Sequence, residues 1–187
     1  GEAIVALGNG FDVLPACEAG CGAVEGHGLW MDDMPVGLLT AGVLHYIEPD
    51  HLGTPRLVFN PMRNVPVWTW DIKGEAFGRD APNEDPDLDE TPFVFDMRFP
   101  GQRFDLASGL NYNYFRDYDP STGRYVQSDP IGLEGGISTY GYVGGKPLDA
   151  IDPLGLVDPL RGYNPAYGPI IIRTQLKQIG WAEKFVS

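Results

Sequence analysis

The pentapeptide Asp-Pro-x-Gly-Leu occurs twice in this chain, as Asp129-Pro130-Ile131-Gly132-Leu133 and as Asp152-Pro153-Leu154-Gly155-Leu156, with 23 residues from one aspartate to the other. Hydrolysis of an amide near neutral pH needs one group to take a proton from water and another to give one to the carbonyl oxygen. Two carboxylates that share a proton do both, because proximity drives their proton affinities apart. Asp129 and Asp152 are candidates for such a pair, and a coupled pair titrates as a unit, so acid and base are not assigned individually. The same pentapeptides are also ordinary turn chemistry, with Asp-Pro starting a turn and the Asp side chain capping it. On residue physics alone the turn reading is the stronger one.

Other candidate sets are weaker. His27, His45 and His51 are scattered, and no Ser or Cys sits in a nucleophile elbow. Asp85, Asp87 and Asp89 alternate as in the first half of a calcium loop, and Asp96 falls at its twelfth place. The sixth place is Glu90 where glycine is needed, so a solvated acidic loop is the default reading and a weak calcium loop the alternative. Cys17 and Cys21 form Cys-x-x-x-Cys without the second pair that a zinc site requires. Two free thiols or one local disulfide is the reading there, and no metal or cofactor is expected.

The elements that must position the aspartates read as β structure. Phe104-Asp105 with Gly109 recurs 14 residues later as Tyr118-Asp119 with Gly123, each aromatic-Asp pair opening a turn that its glycine closes. Upstream, Val36-Gly37-Leu38-Leu39, Val43 to Ile47, Arg56 to Phe59 and Val65 to Asp71 are strand-sized segments parted by Pro, Gly and Asp, which predicts consecutive antiparallel pairing. Val67 and Thr69 should face one side and Trp68 and Trp70 the other. Phe93-Val94-Phe95, Arg98-Phe99, Gln102 to Phe104, Leu110 to Phe115 and Arg124 to Val126 alternate ring and polar residues and read as further hairpin arms. Residues 1–29 read as an irregular leader with at most one strand. Beyond Leu156 a Pro/Gly/Tyr linker precedes Ile172, Leu176 and Ile179, whose spacing marks a short amphipathic helix.

Tyr114 to Tyr125, including Tyr118-Asp119-Pro120-Ser121-Thr122-Gly123-Arg124-Tyr125, followed by both pentapeptides, by Tyr140-Gly141-Tyr142-Val143 and by Lys146-Pro147, resembles the RHS or YD-repeat proteins and their repeat-associated core. A looser likeness runs back through Asp50 to Arg56 and Trp30 to Val36, so the resemblance covers about residues 30–156. It implies an all-β fold: an antiparallel YD-repeat sheet, part of the RHS shell, with a plug-like C-terminal core, and with 157–187 as the start or remnant of a variable toxin region. It further implies that the chain cuts its own backbone between Leu156 and Val157 in the manner of an aspartic peptidase, once per molecule. The family's two aspartates match Asp129 and Asp152, and its arginine matches Arg116. In that role Arg116 holds an ionised carboxylate or stabilises the developing oxyanion. Pro153 and Gly155 allow the scissile strand to bend back toward the carboxylates. An intramolecular substrate gains on the order of 7 kcal/mol from proximity in well-oriented cases, enough for modest catalysis acting once.

Composition sets outer limits. The 187 residues include 25 Gly and 17 Pro, and 13 basic against 26 acidic residues give a net charge of −13. So acidic a chain repels phosphate backbones, which argues against direct nucleic-acid binding. No apolar run approaches the roughly 18 residues of a membrane helix. The resemblance implies as partners the remaining repeats of a longer protein or a second copy, a C-terminal toxin and its immunity protein. It also implies a bacterial protein that is cytoplasmic before export and then secreted or delivered to a target cell. Two rivals stand beside self-cleavage: a shell fragment that does not cut, and a scaffold whose C-terminal tail binds a partner.

Overall fold

A computed structural model describes residues 26–72 and 75–156. Cys17, Cys21, the linker, the amphipathic helix expected near Leu176 and Val157 itself lie outside the described residues. Within them the chain is all-β, as expected. Five strands, β1 (Gly26–Met31), β2 (Met34–Thr40), β3 (Val43–Pro49), β4 (Pro55–Asn60) and β5 (Val65–Thr69), form one antiparallel meander in sequence order. A second meander comprises β6 (Arg103–Asp105), β7 (Leu110–Asn113), β8 (Arg116–Asp119) and β9 (Arg124–Tyr125). Strand β1 begins at Gly26, inside the segment read as leader: Leu29 and Trp30 pair with β2 there and make it a true strand.

The turns carry the predicted chemistry. The Asp105 carboxylate accepts the Ser108 hydroxyl and the N–H groups of Ala107 and Ser108, and Gly109 N–H closes the loop onto the Asp105 carbonyl. One period later Asp119 accepts from Ser121 N–H and hydroxyl, and Gly123 N–H returns to the Asp119 carbonyl. These donors hold both carboxyls below the usual carboxylate range. Between β3 and β4, Asp50 accepts from Leu52 and Thr54 N–H and pairs with Arg56 at 2.6 Å, while His51 bonds the Leu148 carbonyl 97 residues on. The first meander is thereby tied to the C-terminal segment.

One local expectation differs from what forms. The stretch from Phe93 to Phe99 is an irregular connection with a single bridge, Met97 to Arg103, because Pro92 and Pro100 bracket it and cannot donate to a ladder. It is pinned instead by Arg98, whose Nη1 donates to the Phe95 and Met97 carbonyls and whose guanidinium lies over the Phe104 and Trp70 rings. Burial lowers the Arg98 pKa to about 10. In β5 both faces are buried: Val67 and Trp68 are sealed, and Trp70 just beyond is sealed as well. After β9 the chain turns through two short 3-10 segments, η1 (Gly132–Gly135) and η2 (Val143–Gly145).

One aromatic wall joins the two meanders. Trp68 meets Phe95 edge-on at 5.0 Å and Trp70 packs on Phe99 at 5.3 Å; Phe99 stacks on Tyr142 at 5.5 Å, which in turn meets Tyr118 at 4.9 Å and Tyr125 at 5.9 Å. Contacts of this kind contribute about 0.5–1.5 kcal/mol each beyond the area they bury. The wall ends on β8 and β9, the two strands that present the candidate site.

His45 of β3 is buried against Phe93, and burial lowers its pKa below the ordinary 6.5, with hydrogen bonds to Val43 and Leu38 opposing. The unfolded chain therefore takes up this proton first as the pH falls. His45 contributes full stability above about pH 6.5 and loses it as the pH drops toward the folded value. Urea midpoints measured from pH 7 down to 5 should fall in the wild type and fall less in His45→Phe.

Candidate active site

Strand β8 begins at Arg116, and the preceding two-residue turn is Tyr114-Phe115, with Tyr114 at φ +53°. A non-glycine residue in that region is uncommon and marks a turn held in place by its surroundings. Here the Phe115 N–H reaches the Leu154 carbonyl, docking the turn onto the second pentapeptide. The turn makes Asn113 and Arg116 cross-strand partners. Both are buried, and both reach the same loop.

Each pentapeptide is a capped turn. Asp129 Oδ1 accepts from Ile131 N–H at 3.0 Å, and Asp152 Oδ1 accepts from Leu156 N–H at 2.8 Å. The two turns also converge. Arg116 Nη2 lies 2.9 Å from Asp129 Oδ2 and 3.1 Å from Asp152 Oδ2, with all three side chains at most 2% exposed. The remaining guanidinium nitrogens are satisfied by backbone: Nε donates to the Gly155 carbonyl and Nη1 to the Thr139 carbonyl. Turn chemistry and the carboxylate pair are thus two aspects of one arrangement. The aspartates' own Oδ1 atoms build the turns and their Oδ2 atoms meet at the arginine.

A guanidinium facing two carboxylates leaves one negative charge uncompensated if both are ionised. In a buried site that charge is costly, and binding one proton removes it. Burial raises the Asp129 pKa, against Arg116 and the Ile131 N–H, with the Asp152 charge adding to the rise. The arrangement therefore favours one shared proton. Leu156, fully buried, has its N–H on the Asp152 carboxylate, so the residue at which the resemblance implies a cut sits against one member of the pair. Gly155 makes this path possible: its φ is +72°, and a Cβ there would lie 2.8 Å from the Asn113 carbonyl oxygen. Pro153 forms the bend that precedes it.

Several contributors have no chemical role assigned to them by the sequence. Tyr125 donates its hydroxyl to Asp152 Oδ2 at 2.8 Å and lays its ring 3.6 Å from the Arg116 guanidinium. Asn113 Nδ2 donates to the Tyr125 oxygen and to the Asp152 carbonyl. The Thr139 carbonyl receives both Arg116 and the Asp129 N–H. The alternation of β7 to β9 places Asn113 and Tyr125 inward, and that was the available signal. The acidic loop lies apart from this site. Asp85, Asp87 and Asp89 bring oxygens within 4.8 Å of one another, but Arg63 Nη2 stands 2.6 Å from Asp87 and 2.8 Å from Asp89, and Asp85 accepts the N–H groups of Asp89 and Glu90. An arginine supplies the positive charge there.

Sequence comparison places the chain among named proteins. Toxin protein Tse5 of Pseudomonas aeruginosa is 35% identical over 138 residues, covering 74% of this chain and 10% of that one. RhsB of Dickeya dadantii is 40% identical over 114 residues, 59% of this chain and 7% of the other. The chain is related to RHS-type toxin proteins. No family model matches it. The RHS-type segment spans less than half the length of the curated relatives it matches, from 10% to 46% of the first three. In fold it resembles the crystal structure of TcdB2-TccC3 without the hypervariable C-terminal region, with a TM-score of 0.56 over 70% of this chain and 6% of that one, at 23% identity.

Gly135, in η1, is pressed against the first aspartate: a Cβ there would lie 2.3 Å from Asp129 Oδ2. The carboxylate cannot retreat without leaving Arg116. Gly135→Ala should disturb the Asp129–Arg116 pair and destabilise the fold by about 1–3 kcal/mol, as overpacking does, measurable as a lower urea midpoint. Ala at the half-buried Gly136, where a Cβ meets no neighbour but φ is +131°, gives a comparison governed by backbone strain alone.

Proposed function

We propose that this chain is the closing part of an RHS-type shell and that it cuts itself between Leu156 and Val157 by aspartic-peptidase chemistry, separating the segment beyond the cut. The reading rests on one observation: two buried aspartates from repeated pentapeptides share one arginine nitrogen while one of them holds the Leu156 N–H.

In the step this supports, the pair carries one proton. The ionised carboxylate takes a proton from water as the water oxygen bonds to the Leu156 carbonyl carbon, and the protonated one gives its proton to the carbonyl oxygen. Collapse of the tetrahedral adduct breaks the bond to the Val157 nitrogen, which leaves as an amine after taking a proton. Leu156 ends as a carboxylic acid, and the atoms of one water are consumed. Arg116 keeps the two carboxyls apart from solvent and in register, and by binding the Gly155 carbonyl it fixes the strand one residue before the cut.

The separated segment, beginning at Val157, is read as cargo. Support comes from the toxin designation of the relative Tse5. A toxin at that position, a matching immunity protein, further shell repeats as partners and export from a bacterial cell complete the proposal. A second reading is favoured by the completeness of the turn hydrogen bonding: the Asp129–Arg116–Asp152 group serves as a structural clasp in a shell that does not cut. The two readings part on a simple measurement. Intact-mass spectra of freshly purified chain should show fragments that meet between residues 156 and 157, while Asp129→Asn and Asp152→Asn stay whole, with cleavage slowed by at least about 100-fold. A wild type that remains at full length for days between about pH 4 and 8 selects the clasp.

A further inference from the structure

The side chains around Asp152 fix more than its position, and the roles they take here rest on the self-cleaving reading. Asn113 is the starting point, because one of its contacts has only one possible polarity. The Asp152 main-chain carbonyl can only accept, so the Asn113 atom 2.9 Å from it is the amide nitrogen. That nitrogen also lies 2.8 Å from the Tyr125 oxygen, which is therefore the acceptor of this second bond. The Tyr125 hydroxyl proton must go elsewhere, and Asp152 Oδ2 stands 2.8 Å away. Burial first and the Asp152 charge second raise the Tyr125 pKa far above its ordinary value, so the hydroxyl stays a donor.

Asp152 consequently receives at least three donors: Leu156 N–H on Oδ1, and Tyr125 O–H and Arg116 Nη2 on Oδ2. Asp129 receives Ile131 N–H on Oδ1 and Arg116 Nη2 on Oδ2. Donors aimed at a carboxylate favour its ionised form. We propose that Tyr125, held by Asn113, is a positioning residue that fixes the proton of the carboxyl pair on Asp129 and keeps Asp152 ionised. Asp152 is then the group that takes the water proton, and Asp129 the group that protonates the carbonyl oxygen. Among the described residues, the charged and titratable groups facing Asp152 include Arg116 from β8, Tyr125 from β9, Asp129 before η1 and Tyr142 before η2. Of these, Tyr142 is fully buried and its own proton loss is pushed well up, so it adds no charge.

The test uses the full 187-residue chain, purified unfolded in urea and refolded by dilution into buffers from about pH 3 to 8, with cleavage followed by intact mass. The acidic limb of the rate profile then reports Asp152 and the alkaline limb Asp129. Tyr125→Phe keeps the ring against Arg116, Tyr118 and Tyr142 and removes only the hydroxyl. It should move the acidic limb up by about one pH unit and leave the alkaline limb in place. Uniform slowing at every pH, or movement of the alkaline limb instead, overturns the proposal. Carboxyl 13C NMR of the purified wild-type chain decides the same point without depending on the variant's folding or on cleavage. Asp152 should titrate below Asp129, and the reverse order overturns the assignment. If no chain cleaves under any condition, the self-cleaving reading fails, and the carboxyl order still shows whether Tyr125 and Asn113 place the proton as proposed.

Discussion

A guanidinium buried to 1% exposure is the constraint around which the second half of this molecule is arranged. Arginine does not give up its charge in a protein interior by ordinary means, and five N–H donors must all find acceptors. Arg116 finds them at four residues in three later segments: Asp129, Thr139, and Asp152 with Gly155. Removing the ionised carboxylate would leave the guanidinium unpaired in a buried site, which typically costs about 3–5 kcal/mol, and removing the protonated one takes away another of its acceptors, so the loop that carries Asp129 and the one that carries Asp152 are held by the same residue. The aromatic face of Tyr125 closes the remaining side.

That requirement is met only because the environment is dry and rigid. The wall of Trp70, Phe99, Tyr118 and Tyr142 backs β8 and β9 and excludes water from the side of the site that faces the first meander. His51 on the Leu148 carbonyl and the Phe115 N–H on the Leu154 carbonyl fasten the C-terminal segment at two further points. The first meander therefore bears on the site without contributing a reacting group to it. Its role is to supply the apolar surface against which the polar cluster is closed.

Much of this was legible in the residues. The aromatic-Asp turns at 105 and 119 and the order of the strands followed from turn chemistry and alternation, because those are local properties. The pairing of Asp129 with Asp152 was suggested by repetition and by resemblance, and the convergence on Arg116 agrees with it. Tyr125 and Asn113 were not singled out, since an inward-facing Tyr or Asn on a strand reads as core until its partner is known, and the partners lie 27 and 39 residues away. Strand-like alternation from Phe93 to Phe99 misled because the two prolines that break it act through missing donors, which side-chain pattern does not register. Arg63 on the acidic loop was invisible for the same reason as Tyr125: a contact between residues so far apart in the chain has no local trace.

The second pentapeptide is the last of the described segments to leave the point of synthesis, and every group that receives it comes earlier in the chain. Arg116 waits for Asp152 across 36 residues and for the Gly155 carbonyl across 39. In an unfolded chain such loops close rarely, since the entropy of bringing their ends together has no compensating contact until β7, β8 and β9 are paired. The carboxyl pair is consequently latent by construction, and its assembly is a signal of completion. Whatever this cluster does, fastening or cutting, it begins only when the strands before it have taken their places, so folding itself acts as the clock.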